Sequence, residues 1–197
     1  YVKTDQQAQA AYLITMQLEL VTYLKFWESD YFLKQLYNLS TKLLHGQNYD
    51  WHVSIKDKGK KTLLDVEVKD GLRKKAPKFF TLFEKIYSRQ IRNAIAHSQF
   101  WLNNSYLIFM NHDPDDDANL ERLLIEEWEE IYHHFVVFYS CFNSRIIEFE
   151  KRCMDEAANK HYGKPVLIKT KDLKIRTEYL KCLPEIPRWV WYKSWAK

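Results

Sequence analysis

Apolar side chains recur at steps of three and four residues over long stretches of the chain, and this spacing constrains the fold most. In the segment 6–27 they are Tyr12, Leu13, Met16, Leu20, Tyr23, Leu24 and Trp27. Such spacing gathers them on one side of an α-helix. The chain has only four glycines and five prolines, so few positions interrupt helices. We therefore expect a mainly α-helical bundle.

Similar patterns predict further helices over about 30–45, 62–75, 79–98 and 120–160. Ser29 or Asp30 is suited to cap the second helix, and Asn119 the last. Gly46 and the stretch Gly163-Lys164-Pro165 are suited to end them. Residues 47–62 are polar and basic, which predicts a loop with room for a short strand at 51–55.

A different period follows the predicted helix 79–98. Two apolar stretches, 99–102 and 105–110, are separated by Asn103-Asn104. Asparagine tolerates the left-handed backbone of a tight hairpin turn, so a small β-hairpin is expected directly after this helix. The acidic residues 113–117, with Pro114 among them, predict a loop after the hairpin.

The domain organisation is expected to be a bundle over 1–163 with a basic, Trp-rich C-terminal extension over 164–197 packed on the same domain. A short strand is expected at 166–168. The extension is basic because Lys160 to Lys197 holds ten Lys and Arg against three Asp and Glu. Residues 51–78 are also basic, with nine against four, whereas 113–130 are acidic. Basic blocks suit a phosphate backbone, although taken alone they are better explained by a solvated surface.

Several classes of protein and site are not expected. No apolar run has the roughly 18–20 residues that cross a membrane, and no signal peptide opens the sequence. Three widely spaced cysteines, Cys141, Cys153 and Cys182, favour reduced thiols over a disulfide framework or a zinc site, which suits a cytoplasmic protein. No metal site and no cofactor are predicted. The pairs Glu129–His133 and Glu130–His134 lack a third ligand and are interpreted as solvated i,i+4 pairs.

The polar side of the predicted helix 79–98 holds the residues of greatest chemical interest. At about 100° per residue, one stripe gathers Lys85, Ser88, Arg89, Arg92, Asn93 and Ala96. Asn93 and His97 are four positions apart and share a flank. Arg92 and His97 are five apart, about 140° around the axis, so they border one groove only if a second helix packs along the stripe.

The sequence Arg92-Asn93-Ala94-Ile95-Ala96-His97 resembles the signature of the HEPN superfamily, an Arg with a polar neighbour followed after a few positions by His. The motif on a helix, followed by a hairpin and a long helix, is similar to HEPN proteins over about residues 1–160. The resemblance implies a four- or five-helix bundle. It also implies a metal-independent endoribonuclease whose active site forms from two motifs in a homodimer.

The residue types suit that chemistry. A histidine serves as general base or acid near neutral pH, and an arginine presents a charged fork to phosphate oxygens. The resemblance therefore gives His97, Arg92 and Asn93 as catalytic residues, with Asn93 orienting His97 or contacting phosphate. Arg89, Ser88 and Lys85 are candidate RNA contacts on the same stripe.

The resemblance further implies a single-stranded or looped RNA such as tRNA as substrate, a toxin or antiviral role, and an antitoxin or regulatory protein as a further partner. Two alternatives stay open. One is a non-catalytic HEPN module that binds RNA, a nucleotide or a nucleotidyltransferase-like protein. The other is an unrelated helical scaffold in which the motif arises by chance.

Overall fold

The computed structural model describes residues 5–47, 49–50, 53–113, 119–159, 164–169, 172, 174–183 and 188–191. The chain forms two compact units, 1–137 and 138–197. The division between these units falls inside the long last helix, and the expected boundary at 163 and packing of 164–197 on the bundle stay predictions. Among the described helices, none combines the length and apolarity that a membrane crossing requires.

Helices dominate the described residues, which confirms the mainly α prediction. They are α1 (Asp5–Glu28), α2 (Asp30–Thr41), α3 (Ile55–Lys58), α4 (Lys69–Lys75), α5 (Pro77–Ile86), α6 (Arg89–Ala96) and α7 (Ile125–Asn159). A 3₁₀ turn at Leu43–His45 follows α2, and a π-helical stretch at Thr62–Val68 leads into α4. The expected strand at 51–55 falls partly outside the described residues, and Ile55 itself begins α3.

The first two helices follow the sequence pattern closely. The buried side of α1 consists of Met16, Leu20, Tyr23 and Trp27. Ser29 caps α2, since its hydroxyl accepts a hydrogen bond from the backbone N–H of Phe32 at 3.3 Å. Gly46, with a φ of 70°, ends the helical turn after α2, as expected of a residue without a Cβ.

The prediction of one continuous helix over 79–98 is wrong. Helix α5 ends at Ile86, and Tyr87 and Ser88 adopt extended backbone before α6 begins. The Ser88 hydroxyl accepts from Ile91 N at 3.2 Å and so caps α6, while Ser88 N donates to the Tyr23 hydroxyl at 3.1 Å. Serine is a preferred N-cap residue, and the buried tyrosine supplies the acceptor that a continuous helix would otherwise provide.

The hairpin is confirmed as strands β1 (Phe100–Leu102) and β2 (Tyr106–Phe109). The Asn103 side-chain oxygen accepts from Ser105 N at 2.8 Å and from Tyr106 N at 2.7 Å, which holds the turn. The small sheet nevertheless has a third strand that was not expected, β3 (Arg122–Leu124), paired antiparallel to β2.

Strand β3 corrects the predicted start of the last helix, which begins at Ile125 rather than near 120. Leu123 is buried opposite Leu107, whereas Arg122 and Leu124 are exposed. This alternation is that of a strand with one buried face. Asn119 therefore does not cap α7. Instead, the Glu127 carboxylate in the first turn accepts from Leu124 N at 2.9 Å.

Aromatic rings fill the core of the first unit. Tyr23 lies 5.4 Å from both Trp128 and Phe135 between ring centroids, and Trp27 lies 5.8 Å from Phe83. All five are fully buried. Burial of each such ring contributes about 1.5–3 kcal/mol, so these contacts fix α1, α5 and α7 in the unit.

The second unit contains the C-terminal part of α7 and an antiparallel sheet. Its strands are β4 (Lys164–Lys169), β5 (Ile175–Leu183) and β6 (Arg188–Trp191), in the order β4-β5-β6. The strand expected at 166–168 lies within β4, and the other two strands were not expected. Residues 192–197 of the Trp-rich end, the predicted helix end at 163 and most of the acidic loop 113–117 lie outside the described residues.

Candidate active site

The motif occupies α6 and the residue that ends it. Ile91, Ala94 and Ile95 are buried and anchor this eight-residue helix. His97 is the C-cap, with its N–H donating to Asn93 O at 3.0 Å, and Ser98 follows with a φ of 54°. The chain thus leaves the helix at His97 and reaches β1 three residues later.

The His97 imidazole is exposed and has no polar partner among the described residues. It is therefore free to contact a ligand or a second protein surface.

Arg92 is placed differently, because its side chain is only 11% exposed. Its Nη1 lies 3.3 Å from Glu28 Oε1, and its Nη2 donates to Asn93 Oδ1 at 2.7 Å. Its Nε is buried without a hydrogen-bond partner among the described groups. The guanidinium is thus held in one orientation by an acceptor on each terminal nitrogen. The Asn93 side chain serves Arg92, so the expected contact between Asn93 and His97 is made by backbone atoms only.

Glu28 joins this motif to a second cation. Its other carboxylate oxygen pairs with Lys60 Nζ, which also donates to the backbone oxygen of Glu28 at 3.3 Å. One carboxylate at the end of α1 therefore bridges Lys60, just before the π-helical stretch, and Arg92 on α6. Two cations around one anion leave a net positive charge, which favours binding of an anion nearby.

Arg89, one turn before Arg92, forms a separate pair. Its Nη1 lies 3.3 Å from Asp65 Oδ2, with the arginine 47% and the aspartate 21% exposed. Such a partly exposed pair contributes little to stability. Arg89 therefore remains available to a phosphate at modest cost, in keeping with its expected role.

Two buried tyrosines lie beneath the junction between α5 and α6. Burial is the main cause that raises the pKa of Tyr23 and of Tyr87. The charge of Asp65 raises the pKa of Tyr87 further, whereas the charge of Arg92 opposes the shift in both. Both hydroxyls are consequently neutral at physiological pH.

Lys85 and Ser88 do not join the arginines in one stripe. Lys85 lies 3.7 Å from Glu130 of α7 and lines a cleft with Leu123, Glu127, Glu130, Ile131 and His134. Ser88 uses its hydroxyl as the α6 cap. Because the backbone is extended at 87–88, the side chains before and after it do not follow one continuous helical period. Lys85 therefore contacts α7, whereas Arg89 contacts residue 65 and Arg92 contacts residue 28.

Of the two expected i,i+4 pairs of α7, Glu130–His134 is in contact, whereas the Glu129 carboxylate accepts from the Tyr12 hydroxyl at 3.2 Å. His134 Nδ1 lies 2.7 Å from the Glu130 backbone oxygen and 4.0 Å from the Glu130 carboxylate. Across the described part of the chain, no cluster of three or more His, Cys, Asp or Glu side chains is arranged to hold a metal ion.

The residues that sequence reasoning missed are the partners of the arginines. Glu28, Lys60 and Asp65 lie 64, 32 and 24 positions from the groups that they contact. No local pattern marks such long-range pairs. The nearest signal is Glu28 itself, an acid on the last turn of a helix, where the helix dipole disfavours a negative charge.

Comparisons of the chain with family models, with curated proteins and with solved structures found no match. The likeness to HEPN proteins therefore rests on the motif from Arg92 to His97 and on the elements around it.

Proposed function

We propose that this chain is a HEPN-type endoribonuclease that cuts single-stranded or looped RNA without a metal ion. The observation that carries the proposal is the pairing of two different groups on α6. One is an exposed imidazole without a polar partner at the C-cap, His97. The other is a fixed guanidinium five positions earlier, Arg92.

The reaction would begin at the ribose 2′-hydroxyl next to the scissile phosphate. A histidine removes the hydroxyl proton, O2′ bonds to phosphorus, and the bond from phosphorus to O5′ breaks. The leaving O5′ takes a proton, so the products are a 2′,3′-cyclic phosphate and a 5′-hydroxyl. The guanidinium stabilises the negative charge that accumulates on the phosphoryl oxygens.

Two copies of the motif would supply the two proton transfers of this reaction. One imidazole removes a proton and a second donates one, and the single exposed His97 of α6 supplies only one of them. A homodimer that brings two α6 helices together would supply both. Arg92 would act from a fixed position, with Glu28 and Asn93 holding its fork, while the half-exposed Arg89 reaches a neighbouring phosphate.

A second candidate function is a non-catalytic HEPN module that binds RNA, a nucleotide or a partner protein. The specific observation that favours it is the low exposure of Arg92 and the occupation of both its terminal nitrogens. Such a module would use Arg89 and Lys60 for charge attraction and would leave RNA intact.

A cleavage assay on end-labelled RNA separates these functions. We expect cleavage in the presence of EDTA, 2′,3′-cyclic phosphate ends, and loss of cleavage in both His97→Ala and Arg92→Ala. His134→Ala is a matched control, because that imidazole is partly exposed and bonded to its own helix. Full activity in both motif variants would contradict the proposal. RNA that is bound but not cut by the unaltered chain would instead support the binding module.

A further inference from the structure

A group of cations stands at the corner where α4 meets α5. Arg73, Lys74 and Lys75 form the last turn of α4, and Lys78 lies in the first turn of α5. All four are exposed. We refer to these four residues as the α4–α5 corner.

The carboxylates around this corner are engaged elsewhere. Glu67 pairs with Lys58 at 2.9 Å, Glu84 with Lys69 at 3.2 Å, and Asp65 with Arg89 at 3.3 Å. Of the carboxylates that the structure describes, Asp70 alone reaches the corner, at 3.6 Å from Arg73. Lys74, Lys75 and Lys78 have no carboxylate partner within the described part of the chain. The corner therefore carries an uncompensated positive charge.

Helix stability explains part of this arrangement but not all of it. Cations in the last turn of α4 interact favourably with the helix dipole. Lys78 stands in the first turn of α5, where the dipole disfavours a cation. A cation at this position adds positive charge and slightly destabilises α5. Binding of a ligand explains the position of Lys78 better than helix stability does.

The corner is connected to the motif by a pair of antiparallel helical segments. Asp65 meets Arg89 at one end, Lys69 meets Glu84 in the middle, and Arg73 lies 4.8 Å from the ring centroid of Phe80 at the other end. From Lys78 to Ile86, α5 advances about 12 Å at 1.5 Å per residue. An RNA strand bound at Arg89 would therefore lie within a short distance of the α4–α5 corner.

We propose that the α4–α5 corner binds the phosphates of the RNA segment next to the cleavage site, an inference that rests on the proposed endoribonuclease function. The ligand is a polyanionic phosphate backbone, which the corner would recognise by charge alone. Exposed lysines at separate positions suit successive phosphates better than a single compact anion. The corner would strengthen binding without selecting a sequence.

Binding of a fluorescent oligouridylate to the 197-residue chain tests this proposal. All chains carry His97→Ala so that the RNA stays intact. The triple variant Lys74→Gln, Lys75→Gln, Lys78→Gln should bind about tenfold more weakly at moderate salt. Its slope of log affinity against log salt should be shallower by about 2, since each phosphate contact on a single strand contributes about 0.7. The charge-retaining triple variant to Arg should keep the affinity, which excludes misfolding as the cause.

The matched control removes three exposed cations elsewhere, Lys25, Lys151 and Arg152, by substitution with Gln. An equal weakening in this control would overturn the proposal, because net charge alone would then account for the effect. Competition by polyglutamate as strong as by RNA would also overturn it, in favour of an acidic protein partner. RNA binding that the corner variant leaves unchanged would overturn the corner alone, whereas no RNA binding by any chain would overturn the proposed function as well.

Discussion

Arg92 and Glu28 form an ion pair, Nη1 to Oε1 at 3.3 Å, between residues 64 positions apart in the sequence. The same carboxylate pairs with Lys60, so loss of Glu28 would leave two neighbouring cations without their anion. This single side chain therefore balances charge on both cations and, together with Asn93, holds the orientation of the motif arginine.

Glu28→Gln should lower the free energy of unfolding by about 1–2 kcal/mol. Removal of one partner from a buried pair costs more, but Glu28 is 36% exposed, so solvent screens part of the loss. Urea unfolding measures the change. Glu84→Gln is the matched control because the pair with Lys69 is more exposed, and it should cost less than about 0.5 kcal/mol. Equal costs would contradict a special role for Glu28.

Ser88→Ala should destabilise the protein by about 1 kcal/mol, since α6 would lose the hydroxyl that caps Ile91 N. The sign of this change in stability distinguishes a capped helix from a continuous one. In a continuous helix, alanine would instead be favoured over serine at this position. Thermal unfolding of Ser88→Ala beside the exposed control Ser105→Ala decides the matter, and a stabilised Ser88→Ala would contradict the break between α5 and α6.

Gly71→Ala should destabilise the protein by about 1–3 kcal/mol, although alanine is the better helix former. A Cβ at Gly71 would overlap the backbone carbonyl of Ser40, where α2 and α4 approach closely. Chemical denaturation reports the loss. Gly46→Ala serves as the comparison, because Gly46 has open space around it and only its positive φ resists a side chain. A gain in stability for Gly71→Ala would disprove the close approach.

Alkaline pH should destabilise the first unit through its buried tyrosines. Burial raises the pKa of Tyr23 and of Tyr87 above that of tyrosine in the unfolded chain, near 10. The native state therefore holds these protons more tightly. Their contribution is fully present below about pH 10 and is lost as pH rises beyond it.

Tyr23→Phe should flatten this alkaline decline, at the cost of the acceptor for Ser88 N. Urea unfolding from neutral pH to above pH 10 provides the measurement. Tyr31→Phe is the control because Tyr31 is 58% exposed. If Tyr23→Phe lost stability at alkaline pH as steeply as the unaltered chain, groups other than Tyr23 would be responsible for the loss.

Arg92→Lys should reduce RNA cleavage by about tenfold or more while preserving charge. A lysine cannot hold Glu28 and Asn93 with two nitrogens of one planar fork, so the cation would lose its fixed orientation. Cleavage rates at saturating RNA test the effect. Arg89→Lys, at a more exposed single pair, should change the rate far less. Similar losses in both variants would show that orientation at Arg92 is unimportant.

The elements predicted best from the sequence are those with local signals. Helix α1 follows from its apolar spacing, and the hairpin follows from Asn103 and its neighbour at the turn. The break before α6 was missed because Phe83, Tyr87 and Ile91 keep a four-residue spacing across it and are all buried. Strand β3 was missed because three residues are too few to distinguish alternation from helical period.

In the candidate site, too, the residues with a local sequence signal were predicted and those brought together by long-range packing were not. The motif residues Arg92, Asn93 and His97 were visible because they are neighbours in the sequence. Their surroundings were not, because Glu28 contacts Arg92 only through the packing of α1 against α6, and Lys60 in turn pairs with Glu28. Periodicity reports which face of a helix is buried but carries no information about which distant helix covers it.

The extended backbone at Tyr87 and Ser88 has a consequence for how the motif tolerates change. Helix α6 is bounded by its own cap at Ser88 and by the left-handed Ser98, so both ends of the motif are set within eleven residues. A change in the length of α5 would rotate that helix and leave the spacing of Arg92 and His97 intact. The junction thus separates the geometry of the motif from variation in the length of the preceding helix.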